Sequence, residues 1–161
     1  MSTFGNAADA YPAREPFVAP FAVRPFKEGD AQAINAWATY EDMGGLDSFE
    51  NIIVAADALG EAAGFIRCFA IEGEWYVFPV VTHPLVRGYG VGRLLMDAAF
   101  KSFGPLKFVA RGYAVPFYER LGCTEVLWSE IPDALVDDCS ECPMLEECMP
   151  LPMRYDGPQG A

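Results

Sequence analysis

The sequence predicts an α/β fold, with one mixed central sheet sandwiched by helices. Three observations carry that. Apolar runs at 51–56, 62–71 and 74–82 are separated by Asp-Ala-Leu-Gly-Glu and by Glu-Gly, the turn chemistry of a β-meander. An amphipathic helix follows at 90–103, where Val91, Leu94, Leu95, Ala98 and Ala99 recur at i, i+3, i+4, i+7 and i+8. Beyond it, strand-like and helix-like stretches alternate again, for an overall order β-α-β-β-β-α-β-α-β.

Each element has a local reason. Residues 1–20 are rich in Ala, Pro and small polar residues and read as an extended or mobile arm. Phe21-Ala-Val-Arg-Pro opens a short strand, and Asp30 is the expected N-cap of a helix over 31–41. Met43-Gly-Gly-Leu breaks that helix. The run at 74–82 contains Pro79, which cannot donate to a ladder and is expected only at an edge or a bulge. Gly104-Pro105 stops the long helix. A strand at 106–110, a short helix at 114–120 and a last strand at 123–129 follow. The domain is expected over 21–130, and residues 131–161, rich in Cys, Pro and acids, read as an appended tail.

Composition bounds the function. A chain of 161 residues with 52% hydrophobic and 21% charged residues suits one globular domain. No apolar run reaches the length of a membrane span, and no basic-then-apolar leader opens the chain, so the expected location is cytoplasmic, away from membranes. A net charge of −12 argues against a nucleic-acid partner, because no basic stripe is present to neutralise phosphates. The same charge weakly favours a cationic acceptor such as an amine.

The most informative segment is Val-Val-Thr-His-Pro-Leu-Val-Arg-Gly-Tyr-Gly-Val-Gly at 80–92. Arg87, Gly88, Gly90 and Gly92 form an R-G-x-G-x-G turn between a strand and a helix N-terminus. Converging amides and the helix dipole there make an anion site, and glycine lets the backbone approach a phosphate. The spacing is neither a Gly-Lys-Ser/Thr phosphate loop nor a dinucleotide G-x-G-x-x-G.

V-x-x-x-P-x-x-R-G-x-G-x-G-x-x-L resembles the acetyl-CoA pyrophosphate loop of the GNAT superfamily of N-acetyltransferases. A second block agrees: Ala114-Val-Pro-Phe-Tyr-Glu-Arg-Leu-Gly122 is similar to that family's A-x-x-F-Y-x-x-x-G segment. The resemblance spans roughly 21–130. It implies a GNAT fold of about six to seven strands, splayed at the fourth, with acetyl-CoA entering between the strands at 74–82 and 106–110. Pro79 then falls where the splay is expected.

The resemblance also implies roles. Val80, Val81 and Thr82 would pair with the pantetheine arm, with an N–H near Val81 serving the oxyanion. Arg87, Gly88, Tyr89, Gly90, Val91 and Gly92 would hold the pyrophosphate. Glu74, thirteen positions before Arg87 as in the histone acetyltransferases of the superfamily, is the candidate base, with Glu72 in reserve. The alternative is a hairpin-end surface glutamate. Tyr118 is the candidate acid for the leaving thiolate, since a phenol pKa of about 10 is close to a thiol's; the alternative is a core aromatic. An asparagine that many members carry before this helix is absent, and Arg111 stands nearby. His83, the single histidine, precedes Pro84, and a proton relay is its lesser reading.

The expected function is transfer of acetyl from acetyl-CoA to a primary amine of a small molecule or peptide, in a ternary complex. The alternative is a non-catalytic CoA-binding or zinc-containing regulatory module. Cys139, Cys142 and Cys148 form C-x-x-C-x5-C, for which Cys68, Cys123 or His83 could complete a zinc set; plain reduced thiols are the favoured reading. Short bacterial N-acetylglutamate synthase-like members carry a similar cysteine tail, which makes glutamate a minority acceptor. A homodimer is left open.

Overall fold

The computed structural model describes residues 17–41, 46, 48–140, 142 and 145–158. Their strands are β1 (Ala22–Pro25), β2 (Ile52–Ala56), β3 (Ala62–Ile71), β4 (Glu74–Thr82), β5 (Leu106–Ala110), β6 (Thr124–Glu125) and β7 (Leu151–Tyr155). Their α-helices are α1 (Ala31–Tyr40), α2 (Val91–Phe103), α3 (Val115–Arg120), α4 (Asp133–Ser140) and α5 (Leu145–Cys148). The hydrogen-bonded strand order is β1-β2-β3-β4-β5-β7-β6, a mixed sheet with helices. The chain forms two compact units, Met1–Cys68 with Phe78–Ala98, and Phe69–Val77 with Ala99–Ala161.

In the first unit β1, β2 and β3 form an antiparallel meander, with Val54 opposite both Arg24 and Phe65. Helix α1 buries Ile34, Trp37 and Ala38, the i, i+3, i+4 stripe expected of a helix on a sheet. They pack with Val54, Phe65 and Val81, and the Trp37 ring stacks on Phe65 at 6.5 Å. Asp30 holds the N-cap position of α1, but its side chain makes no capping bond to the helix. Its carboxylate takes the Arg24 guanidinium at 2.8 and 2.9 Å and the Lys27 N–H at 2.8 Å, so it closes the 3₁₀ turn Glu28–Asp30 and ties it to β1. A charged bidentate partner outcompetes a helix amide. The expected N-terminal arm lies mostly outside the described residues. Its end is anchored: the Val18 N–H donates to Asp57 at 2.9 Å, and the Ala58 N–H donates to the Val18 carbonyl at 2.7 Å.

In the second unit the first residues of β4 pair parallel with β5, Trp75 opposite Leu106 and Tyr76 opposite Lys107. That pairing lies ahead of Pro79, where the amide donor is missing. Strand β7 runs antiparallel to β5 from Leu106↔Tyr155 to Ala110↔Leu151, and β6 pairs on its other side. Phe103 at the end of α2 stacks on Trp75 at 4.2 Å.

The segment expected to be an appended tail therefore supplies a strand between β5 and β6. Met153 and Tyr155 alternate inward and are buried, which gives β7 its reason to join the sheet. Pro152 disguises it in the sequence, yet the Pro152 carbonyl still accepts the Val126 N–H at 3.0 Å. The strand expected at 123–129 shortens to the two residues of β6, because Trp128–Glu130 turns into a 3₁₀ helix.

Candidate active site

The Arg-Gly-rich turn opens α2 as the sequence requires. The chain leaves β4 through a 3₁₀ turn over Pro84–Val86, closed by the Val86 N–H on the His83 carbonyl at 3.0 Å. Gly88 and Gly90 then adopt φ values of 89° and 78°, a region costly for any residue with a Cβ. The first bond of the helix is the Leu94 N–H to the Gly90 carbonyl at 3.0 Å. The amides of Val91 and Gly92 stand ahead of it, among those a helix cannot satisfy internally. A Cβ built on Gly88 or Gly90 meets nothing within 4 Å, so the turn is uncrowded at both positions.

Arg87 is exposed and pairs with Glu41 at 3.2 Å. Such a surface pair contributes about 0–1 kcal/mol, so exchanging it for a phosphate costs little. The net negative charge of the chain does not oppose this, because surface carboxylates beyond about 8–10 Å are screened. Tyr89 is also exposed, its ring edge-on to Phe21 at 6.1 Å.

Val80, Val81 and Thr82 end β4 beside β3, and Gly64 sets their distance. A Cβ on Gly64 would lie 2.9 Å from the Val81 carbonyl oxygen and 3.3 Å from the Thr82 Cα. Gly64→Ala is therefore expected to cost about 1–3 kcal/mol, the usual penalty of a forced methyl. For a chain of this size that is a fall of roughly 2–4 °C per kcal/mol in a thermal melt.

The second unit brings together residues that the sequence reading did not. Glu74 is exposed at the head of β4, but its carboxylate is held. Lys107 Nζ lies 3.2 and 3.1 Å from its two oxygens, and the Tyr76 hydroxyl donates to it at 3.1 Å. Lys107, first of all, and Tyr76 hold the Glu74 carboxyl below the usual carboxylate range. Lys107 itself is buried on β5, with a Glu130 oxygen 3.6 Å from its ammonium. Its only sequence signal was a lysine inside Leu-Lys-Phe-Val-Ala. Glu72, the reserve base, is exposed in the β3–β4 turn with a φ of 52°.

Tyr118 is buried on α3, its ring 4.6 Å from Phe108 and 5.1 Å from Phe117. Burial raises its pKa, so the hydroxyl keeps its proton at neutral pH. Both the core-aromatic and the acid readings start from that placement. Arg111 donates to the Tyr113 hydroxyl at 3.3 Å. His83 is buried against Phe17 and Trp37, at 5.1 and 5.8 Å, and its Nδ1 accepts the Leu85 N–H at 3.1 Å. That bond makes it a cap of the 3₁₀ turn, which is structural work.

Among the described residues no three His, Cys, Asp or Glu side chains gather as a metal would require. Burial raises the thiol pKa of Cys68 and of Cys123 to about 12. The Cys142 N–H donates to the Cys139 carbonyl at 3.2 Å, and Cys148 ends α5. No helix among the described residues is long and apolar enough to cross a membrane.

The stretch that runs from just before β2 through the glycine turn to β6, residues 48–124, matches the family model described as the acetyltransferase (GNAT) domain. These residues form a GNAT acetyltransferase domain. No curated protein matches the chain by sequence. Solved structures do match its fold. Rv2747 from Mycobacterium tuberculosis, in complex with CoA and NLQ, superposes with a TM-score of 0.65 at 14% identity, covering 84% of this chain and 98% of that one. Ard1 from Thermoplasma volcanium gives 0.61 at 18% identity, covering 85% and 97%. The N-acetylglutamate synthase from Neisseria gonorrhoeae, complexed with coenzyme A and N-acetyl-glutamate, gives 0.63 at 17% identity; 89% of this chain is covered but 36% of that longer one. At such identities the likeness is one of fold. The strand order and the superpositions agree on a GNAT fold.

Proposed function

We propose that the GNAT domain moves an acetyl group from acetyl-CoA to a primary amine of a small molecule or peptide, by direct attack in a ternary complex. One observation carries the reading: a glycine turn with two positive φ angles feeds the head of α2, whose first amides have no partner within the helix. Donors of that kind suit a diphosphate. The CoA bound in Rv2747 and in the N-acetylglutamate synthase supports acetyl-CoA as the co-substrate.

In this reading Gly88, Tyr89, Gly90, Val91 and Gly92 hold the pyrophosphate with Arg87, and Val80–Thr82 align the pantetheine arm. Glu74, on the same strand, takes a proton from the acceptor ammonium. The neutral amine then attacks the thioester carbonyl, and an N–H near Val81 stabilises the oxyanion. Collapse breaks the C–S bond, and the Tyr118 hydroxyl protonates the departing thiolate. Burial keeps that phenol protonated at neutral pH and, by raising its pKa above the thiol's, makes it the weaker acid of the two.

The test is a thiol-release assay with acetyl-CoA across amino acids, polyamines, aminoglycosides and lysine peptides. Turnover with one class is expected. Tyr118→Phe is expected to lower kcat by about 10²-fold, the smaller end of general acid catalysis, with an unchanged melt. CoA binding without turnover on any acceptor would instead identify a regulatory module.

A further inference from the structure

Lys107 is a costly choice for its position. It sits in β5 between the buried Leu106 and Phe108, and lysine is almost never buried unless paired. An apolar side chain there would serve the sheet at least as well, because a buried ion pair gives little net stability once desolvation is counted. What the lysine provides is a fixed ammonium against one carboxylate. The register pairs Tyr76 with Lys107, so the Tyr76 hydroxyl and the Lys107 ammonium reach the same Glu74 group. Glu130 is a second carboxylate on the same ammonium. Its Oε1 lies 3.6 Å from Nζ, while its Oε2 is anchored on the Leu127 N–H at 3.0 Å.

We propose that Lys107 is a positioning residue for acetyl transfer: its ammonium, braced by Glu130 and bonded to both Glu74 oxygens, holds that base in one rotamer and in its ionised form. The proposal rests on Glu74 being the base. The chemistry balances simply. The acceptor R–NH₃⁺ gives one proton to the Glu74 carboxylate and becomes R–NH₂. The neutral carboxyl then lies beside a fixed cation, which favours release of that proton to solvent through its exposed edge. The base is thereby reset each turnover. The charged groups that bear on Glu74 are Lys107 on β5 and Arg154 on β7. Glu130 and Asp156 bear on it through those cations, and Glu72 and Glu130 bear on Tyr76. Lys107 is the cation in contact, and it dominates.

The experiment measures kcat/KM against pH for the wild type, Lys107→Met, Lys107→Arg and Glu74→Gln, with CoA binding and melts in parallel. Lys107→Met is expected to move the acid limb to higher pH, with a several-fold loss on its acid side and unchanged CoA affinity. Lys107→Arg should bring the limb back toward the wild-type position. A folded Lys107→Met enzyme with the wild-type profile, beside an inactive Glu74→Gln, overturns the proposal and leaves the base assignment standing. An active Glu74→Gln removes the base assignment, and the proposal with it. Should Lys107→Met fail to fold, the carboxyl ¹³C titration of Glu74 in the wild type decides. The proposal requires Glu74 to titrate below the ordinary carboxylate range, and titration within that range refutes it.

Discussion

Replacing Glu74 by glutamine is expected to lower kcat by about 10²–10⁴-fold, the range set by a positioned general base. The amide oxygen can still accept from Lys107 and Tyr76, so the strand and its ion cluster survive while the basic site is lost. CoA affinity should not change, because the pyrophosphate turn at 87–92 is a separate part of the chain. The pH dependence follows from the direction of the shift. Lys107, foremost, holds the Glu74 carboxyl below its ordinary range, so the group is ionised above that lowered value. Wild-type activity should therefore stay level through the usual carboxylate range and fall only as pH drops below it. The limb should be missing from Glu74→Gln. A variant with near wild-type kcat would remove Glu74 from the reaction.

The second large effect is expected at Gly90. Its φ of 78° is open to glycine and strained for a β-branched residue. A Cβ at Gly90 meets no atom within 4 Å, so the cost of adding it is torsional. A forced backbone of this kind costs on the order of 1–3 kcal/mol. The chain can relieve it only by turning the peptide, and with it the amides at the head of α2. CoA affinity should fall by about tenfold or more, an equivalent of about 1.4 kcal/mol, read by calorimetric titration beside a thermal melt. Unchanged affinity with a normal melt would show that these amides carry no ligand.

The parts of the fold legible in the sequence were those with a strong local signal. The i, i+3, i+4 stripe of α2, the meander turns at Asp57–Glu61 and Glu72–Gly73, and the glycine turn all appear where periodicity and turn chemistry put them. What escaped was set by long-range partners. Asp30 reads as a helix cap until Arg24 is brought against it. Residues 151–155 read as tail because Pro152 breaks the pattern, and only the inward Met153 and Tyr155 explain why the strand exists. The same holds at the site. Gly88 and Gly90 were readable because positive φ is a local demand. Lys107 and Tyr76 were not, because their pairing with Glu74 depends on the register between β4 and β5. Gly64 was silent for a like reason, since its constraint is the carbonyl of Val81 on the next strand. Residues 42–45, where the Gly-Gly break was expected, and residue 47 lie outside the described residues.

Acetyl transfer from acetyl-CoA requires the amides at the head of α2 to hold a diphosphate. A ¹⁵N–¹H titration of the wild-type protein with coenzyme A reads those amides one by one. Saturable shifts centred on Gly88, Gly90, Val91 and Gly92, weakened in Gly90→Val, are the expected result. Shifts confined to other residues, or no saturable change on adding coenzyme A, would contradict the assignment.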